Sequence, residues 1–204
     1  MEPVIFRPRA FSIVELLVVI AIISILMALT VPAVSSLIEN TNVTRGAQLV
    51  ESQIQLARQL ASSRNRPVEV RLIKVPAQSA TGVSAIQLWQ MDPPSGANAA
   101  QARPLTRAEM LPTAICISED ATAASRLFAK CGFTNSIPSG SPLSGSSYAA
   151  FQIFPSGLLS PYVDMQTAYM TVLPTRNAKE TSLPRNYAII QINPMTGTPS
   201  TYRP

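Results

Sequence analysis

The sequence predicts an α+β fold, with one long N-terminal helix packed on an antiparallel β-sheet. Three observations carry that expectation: an apolar run from Phe11 to Val34, an apolar stripe at helical spacing after it, and short β-branched or aromatic segments separated by Pro, Gly and Asn turns over the remainder. A chain of 204 residues, 47% of them hydrophobic, suits one compact domain plus an apolar segment. Charged residues make up only 13% and there are 18 prolines, so the body is expected to be rich in loops.

The run "FSIVELLVVIAIISILMALTVPAV" (11–34) is close to the ~20 residues that a helix needs to cross a bilayer. Arg7 and Arg9 precede it, a charge bias that keeps the N-terminus cytoplasmic and sends everything after Val34 outward. Glu15 breaks the apolar pattern near its start. A charged acid at the centre of a membrane helix costs about 2.5–3.5 kcal/mol on insertion scales, and an ionisable group within such a helix marks a functional position. Three readings compete: a secretory signal cut after the apolar core, a plain anchor, and a leader cut before the core. The first requires a small-x-small site, for which only Ala33-Val34-Ser35 is present, and the run exceeds the usual core of about 7–15 residues. A plain anchor gives Glu15 no purpose, whereas a leader cut before the run explains both its length and its acid. Pro32 removes one N–H and crowds the preceding turn, so a bend or local melting is expected there.

After Pro32 the pattern turns amphipathic. Val43, Ala47, Val50, Ile54, Ala57 and Ala61 form one helical stripe, with Arg45, Glu51, Gln55, Arg58 and Arg64 off it. Gly46 marks a second soft point, since glycine weakens a helix by about 1 kcal/mol relative to alanine. The helix is expected to stop near Asn65–Arg66 because Pro67 disfavours helical geometry in the residue before it. The expected division is an N-terminal segment at 1–10, an apolar helix at 11–34, an amphipathic helix at 35–66 and a β-rich head at 67–204.

Within the head, "VEVRLIKV" (68–75) and "SAIQLWQM" (84–91) read as two strands of a hairpin with its turn near Thr81-Gly82. "DPPSGANAAQARP" (92–104) reads as a loop, followed by a short strand at Ala114–Ile117. A short helix is expected in "SEDATAASRLFAK" (118–130), without a full capping box, and a flexible connector in "TNSIPSGSPLSGSS". Strand candidates follow within Tyr148–Gly157, Ala168–Leu173 and Asn186–Gly197, each ending at turn residues.

The two cysteines, Cys116 and Cys131, are expected to form a disulfide if the body is exported; the alternative is two buried thiols. The sequence contains no histidine, which removes His-based triads and dyads and leaves neither cysteine an activating partner. No metal-ligand set, Walker A loop, dinucleotide-binding glycine pattern or Gly-x-Ser-x-Gly elbow occurs, so no cofactor and no catalytic residue is assigned. Net charge is +5. From residue 121 onward, Arg126, Lys130, Arg176, Lys179, Arg185 and Arg203 face only Asp164 and Glu180. Spread charges of this kind support salt-sensitive, sequence-independent nucleic-acid binding at most.

"RAFSIVELLVVIAIISILMALTVPAV" resembles the class III signal of type IV pilins and pseudopilins. It has a short basic leader, a small residue at the cut, an aromatic first mature residue, a glutamate five residues into the mature chain and an unbroken apolar helix. The resemblance implies that prepilin peptidase cuts between Ala10 and Phe11, which makes 1–10 a cleaved leader, and methylates the new amino group of Phe11. It also implies that the helix stays attached as the packing core of a filament and that Glu15 acts in assembly. Pro32 matches the proline that kinks the pilin helix. The family usually has glycine where this chain has Ala10. "FPSG" and the strand running into "INPMTG" resemble the C-terminal half of minor pseudopilins of the GspH/FimT type, and a cassette-type subfamily of verrucomicrobial bacteria is similar. The expected function is a pilin-like structural subunit of the inner membrane. Its partners would be prepilin peptidase, other pilin or pseudopilin subunits, and lipid through 11–34. The alternative is a minor pilin presenting its basic surface to DNA or another ligand. An exported hydrolase lacks the groups it would need.

Overall fold

The computed structural model describes residues 11–76, 81–92, 101–120, 122, 124–133, 135–137, 142–180 and 182–204, with the backbone alone at 29–33 and 101. One helix, α1 (Ile13–Arg64), runs unbroken for 52 residues. The chain divides into two compact units, one ending at Ile38 and the other running from Glu39 to Pro204.

In the second unit α1 buries the expected stripe: Val43, Ala47, Val50, Ile54, Ala57 and Ala61 are all within 1% of full burial. Arg45, Gln55, Arg58 and Arg64 are exposed on the opposite side. The helix ends as its sequence requires. Asn65 takes a left-handed backbone (φ 50°), Arg66 N–H returns to Ala61 O (3.2 Å), and Pro67 prevents continuation. Gly46 is not a soft point. It is buried, and a Cβ there would lie 3.1 Å from Ile115 Cγ2 and 3.3 Å from Val172 Cγ1, so the absent side chain lets the helix lie close on the strands behind it.

The strands are β1 (Val68–Ile73), β2 (Ala85–Asp92), β3 (Gln101–Pro104), β4 (Glu109–Met110), β5 (Ile115–Ile117), β6 (Asn135–Ser136), β7 (Ser147–Ile153), β8 (Leu159–Ser160), β9 (Tyr169–Pro174), β10 (Ala188–Ile192) and β11 (Pro199–Tyr202). Among the described residues they form two antiparallel sheets, where the sequence suggested one. The first has the order β3-β2-β1-β7-β6, with β4 on β2 and β8 on β7; the second has the order β11-β10-β9-β5. The β1–β2 hairpin pairs Val68 with Gln90 through Ile73 with Ala85. Val68, Val70 and Leu72 face a core shared with the α1 stripe, Phe151 and Ile153 of β7, and Met170, Val172, Ile190 and Ile192 of the second sheet. The opposite face of β1 carries Glu69 and Arg71, an ion pair (2.6 Å) at 8% and 4% exposure. The Arg71 guanidinium lies over the rings of Trp89 (3.8 Å) and Tyr148 (4.5 Å), contacts that offset part of the desolvation of a buried cation.

Three expectations change. The last four residues of the expected loop 92–104 form β3, and Asp92 closes β2. The strand forms because Gln101–Arg103 can pair with Gln90–Asp92, while Pro104 sits on an edge strand where its missing N–H is tolerated. A hydrogen bond from Gln90 (2.7 Å), reinforced by Arg103, holds the Asp92 carboxyl below the usual carboxylate range. Residues 93–100 lie outside the described set. The helix expected between the cysteines is a single 3-10 turn, Arg126–Ala129, pinned by buried Leu127 and Phe128.

The expected Cys116–Cys131 disulfide is not present; both residues are buried thiols. Strand alternation explains why. Ile115 and Ile117 enter the same core as Cys131, so Cys116 between them faces the other way, with its Sγ 2.8 Å from where a Cβ on Gly82 would lie. Burial pushes the Cys131 thiol up to about 12. Iodoacetamide is therefore expected to label neither cysteine in the folded protein and both after denaturation without reductant. An unlabelled denatured chain would show a disulfide instead. Because the folded thiol keeps its proton longer than the unfolded one, the stability due to Cys131 is complete below pH 9.0 and is lost as pH rises toward about 12.

Candidate processing and assembly segment

Apolar side chains all round a helix have no face to offer water, and α1 begins in that way. Phe11 and Ser12 precede the helix, Ser12 O accepts the first turn's hydrogen bond from Leu16 N–H (3.2 Å), and Glu15 falls within that turn. Phe11 is 77% exposed, and every large apolar residue from Ile13 to Met27 is exposed too, on all sides of the helix. Ser24 does not interrupt this surface, because its hydroxyl donates to Ile20 O one turn back (2.8 Å). Val34, Leu37 and Ile38 are exposed as well, so exposed apolar side chains reach beyond the expected end at Val34. The signal for that extension was present in "SSLIEN", but Ser35 and Ser36 interrupt the run by composition without ending the helix.

Of the residues singled out by sequence, Ala10 lies outside the described residues. Phe11 and Glu15 are both exposed and lie about one turn apart along the chain. None of the ion pairs among the described residues involves Glu15. An acid in the first turn is favoured by the partial positive charge of unpaired helix N–H groups, which gives Glu15 a local reason to be tolerated. Pro32 does not melt the helix: the backbone is helical before, at and after it. Among the described residues no helix is long and apolar enough to cross a membrane. The side chains of 29–33 are outside that set, so the run that can be followed stops at 28.

The basic residues of the C-terminal half are engaged separately. Arg176 pairs with Glu39 (2.9 Å), Arg126 Nε donates to Thr122 O (3.1 Å), and Arg203 donates to Asn186 Oδ1 (2.9 Å) and to Thr44 Oγ1. Lys130, Lys179 and Arg185 are exposed. No cluster of potential metal ligands occurs among the described residues.

The prokaryotic N-terminal methylation motif matches this chain at residues 6–31, the segment that contains Ala10, Phe11 and Glu15. The chain thus carries the prepilin-type signal of type IV pilins and pseudopilins, on a long helix packed against antiparallel sheets. Neither the curated proteins nor the solved structures gave a significant match.

Proposed function

We propose that this chain is a pilin-like structural subunit. Prepilin peptidase cuts between Ala10 and Phe11, the new amino group of Phe11 is methylated, and the helix from Phe11 to Val34 is retained. The precursor spans the inner membrane once, with its N-terminus cytoplasmic and its body outside. It then joins other pilin or pseudopilin subunits in a type IV pilus or a type II secretion pseudopilus. The observation that carries this reading is the all-round exposed apolar surface of α1 with one acid in its first turn. Burying a Val, Leu or Ile side chain contributes about 1.5–3 kcal/mol, so such a surface calls for lipid or neighbouring helices. Lipid alone gives Glu15 no role, whereas a bundle of like helices supplies an amino terminus for it to meet. The prepilin-type signal supports a structural subunit rather than a catalyst.

The test is the mass of the protein extracted from membranes. A chain starting at Phe11 with one added methyl group is the expected result. A start at Ser35 or Ser36 would identify a secretory signal, and an intact N-terminus would identify a plain anchor; either result overturns the reading.

A further inference from the structure

We propose that the outer face of the second sheet is a binding trough for a neutral glycan, an inference independent of whether the chain enters a filament. The trough has a volume of about 570 Å³ and is lined by Gln166, Tyr169, Leu183, Ile189, Gln191 and Tyr202. Its floor is β10. Ala188, Ile190 and Ile192 of that strand are buried in the core, so Ile189 and Gln191 between them face outward. The register sets Ile189 opposite Tyr202 on β11 and Gln191 opposite Tyr169 on β9. With strands about 4.8 Å apart, the two tyrosines rise from strands about 10 Å apart on either side of the floor. Gln191 Nε2 donates to Met165 O (2.9 Å), which orients the amide and leaves its carbonyl oxygen to accept.

A pyranose offers an apolar C–H face and a rim of hydroxyls that both donate and accept. Tyrosine rings with Leu183 and Ile189 suit the first, and the amides of Gln166 and Gln191 suit the second. Among the described residues no ionised side chain lines the trough, so a phosphate-bearing ligand finds no counter-charge in it. An extended peptide cannot add a strand along the floor, because β10 is hydrogen-bonded on both sides; the free edge of this sheet lies on the far side of β11, outside the floor. The apolar surface of another protein would cover the Gln191 carbonyl oxygen and the Gln166 amide without offering either a hydrogen-bond partner. A neutral ligand rich in hydroxyls fits all four constraints.

The experiment uses the full chain in micelles of a detergent without a sugar headgroup, and saturation-transfer NMR with chitotriose and maltotriose at millimolar concentration. Saturation is expected to reach the ring protons of at least one sugar, and the pair separates an N-acetylated from a plain glycan. Tyr202 is 56% exposed, so Tyr202→Ala is expected to fold normally while weakening binding about tenfold. Tyr202→Phe, which keeps the ring, is expected to retain the signal. An unchanged melting profile by Trp89 fluorescence checks that both variants are folded. Transfer to neither sugar, or equal transfer in Tyr202→Ala, would overturn the proposal. So would cross-linking of two copies through position 202 without sugar binding, which would assign the face to self-association.

Discussion

For the proposed subunit, Glu15→Leu is expected to leave membrane level and the proposed cleavage at Ala10–Phe11 unchanged and to abolish or strongly reduce incorporation into filaments. Glu15 lies four residues beyond Phe11, about 6 Å along a helix, so its carboxylate cannot be far in depth from the proposed mature amino group. Buried alone, each charge would be expensive; paired, they neutralise one another where Coulomb attraction is strong. Pairing within one chain would settle the burial cost but would set no register between subunits. In the proposed filament, pairing between chains, with Glu15 of an incoming subunit meeting the Phe11 ammonium of its neighbour, would fix the axial step. Glu15 takes part in no ion pair among the described residues of the single chain, which is consistent with a partner elsewhere. Removing the acid makes insertion easier, not harder, so lost assembly could not be blamed on membrane entry. Tagged protein is to be measured in filaments and in membranes together. Normal incorporation at wild-type abundance would show that Glu15 does not set assembly.

The helical part of this protein was legible because its signals are local. The stripe from Val43 to Ala61 follows from 3.6-residue periodicity, and the stop at Arg64 follows from Asn65 and Pro67, residues adjacent to the event they cause. The division into two sheets was not legible. β7 pairs with β1 across more than seventy intervening residues, and β5 joins β9 rather than β2; nothing within those segments names a partner. β11 was missed for a different reason. "PSTY" buries only Pro199 and shows no alternation, so its pairing depends on β10 offering an edge. Gly46 misled because propensity treats glycine as a helix defect, while contact with Ile115 and Val172 makes it a point of close approach. The candidate assembly segment is the opposite case. Its apolar surface and its acid are properties of composition, and the fold adds only that these side chains stay exposed in the single chain. The trough was invisible from sequence because Tyr169, Gln191 and Tyr202 come from three strands and meet only through register.

Gly157→Ala is expected to destabilise the body by about 3 kcal/mol, lowering its melting temperature by about 6–12 °C. Gly157 lies in "FPSG", between β7 and β8, with φ at +90°. That conformation costs an alanine roughly 1–2 kcal/mol by itself. The larger part comes from what a Cβ would meet: Thr196 O at 2.6 Å and Thr196 C at 2.8 Å, both backbone atoms. Thr196 belongs to the turn between β10 and β11, and that turn has little room to yield. Asn193 Oδ1 accepts from Met195 N–H (2.9 Å) and Thr196 N–H (3.3 Å), and Gly197 N–H donates to Asn193 O (2.8 Å). Nearby, Leu159 N–H donates to Pro194 O (2.9 Å), so the "FPSG" and "NPMTG" turns join the first sheet to the second. Gly145→Ala separates the two contributions, since Gly145 has φ at +80° with nothing within 4 Å of where its Cβ would lie; it is expected to cost only the conformational part. Gly132→Ala, in open space without a positive φ, is expected to change little. Fluorescence of Trp89, the single tryptophan and only 6% exposed, reports unfolding of the full chain in detergent. If Gly157→Ala melted with Gly145→Ala, the Thr196 carbonyl would have moved aside, and the close approach of the two turns would not be a rigid contact.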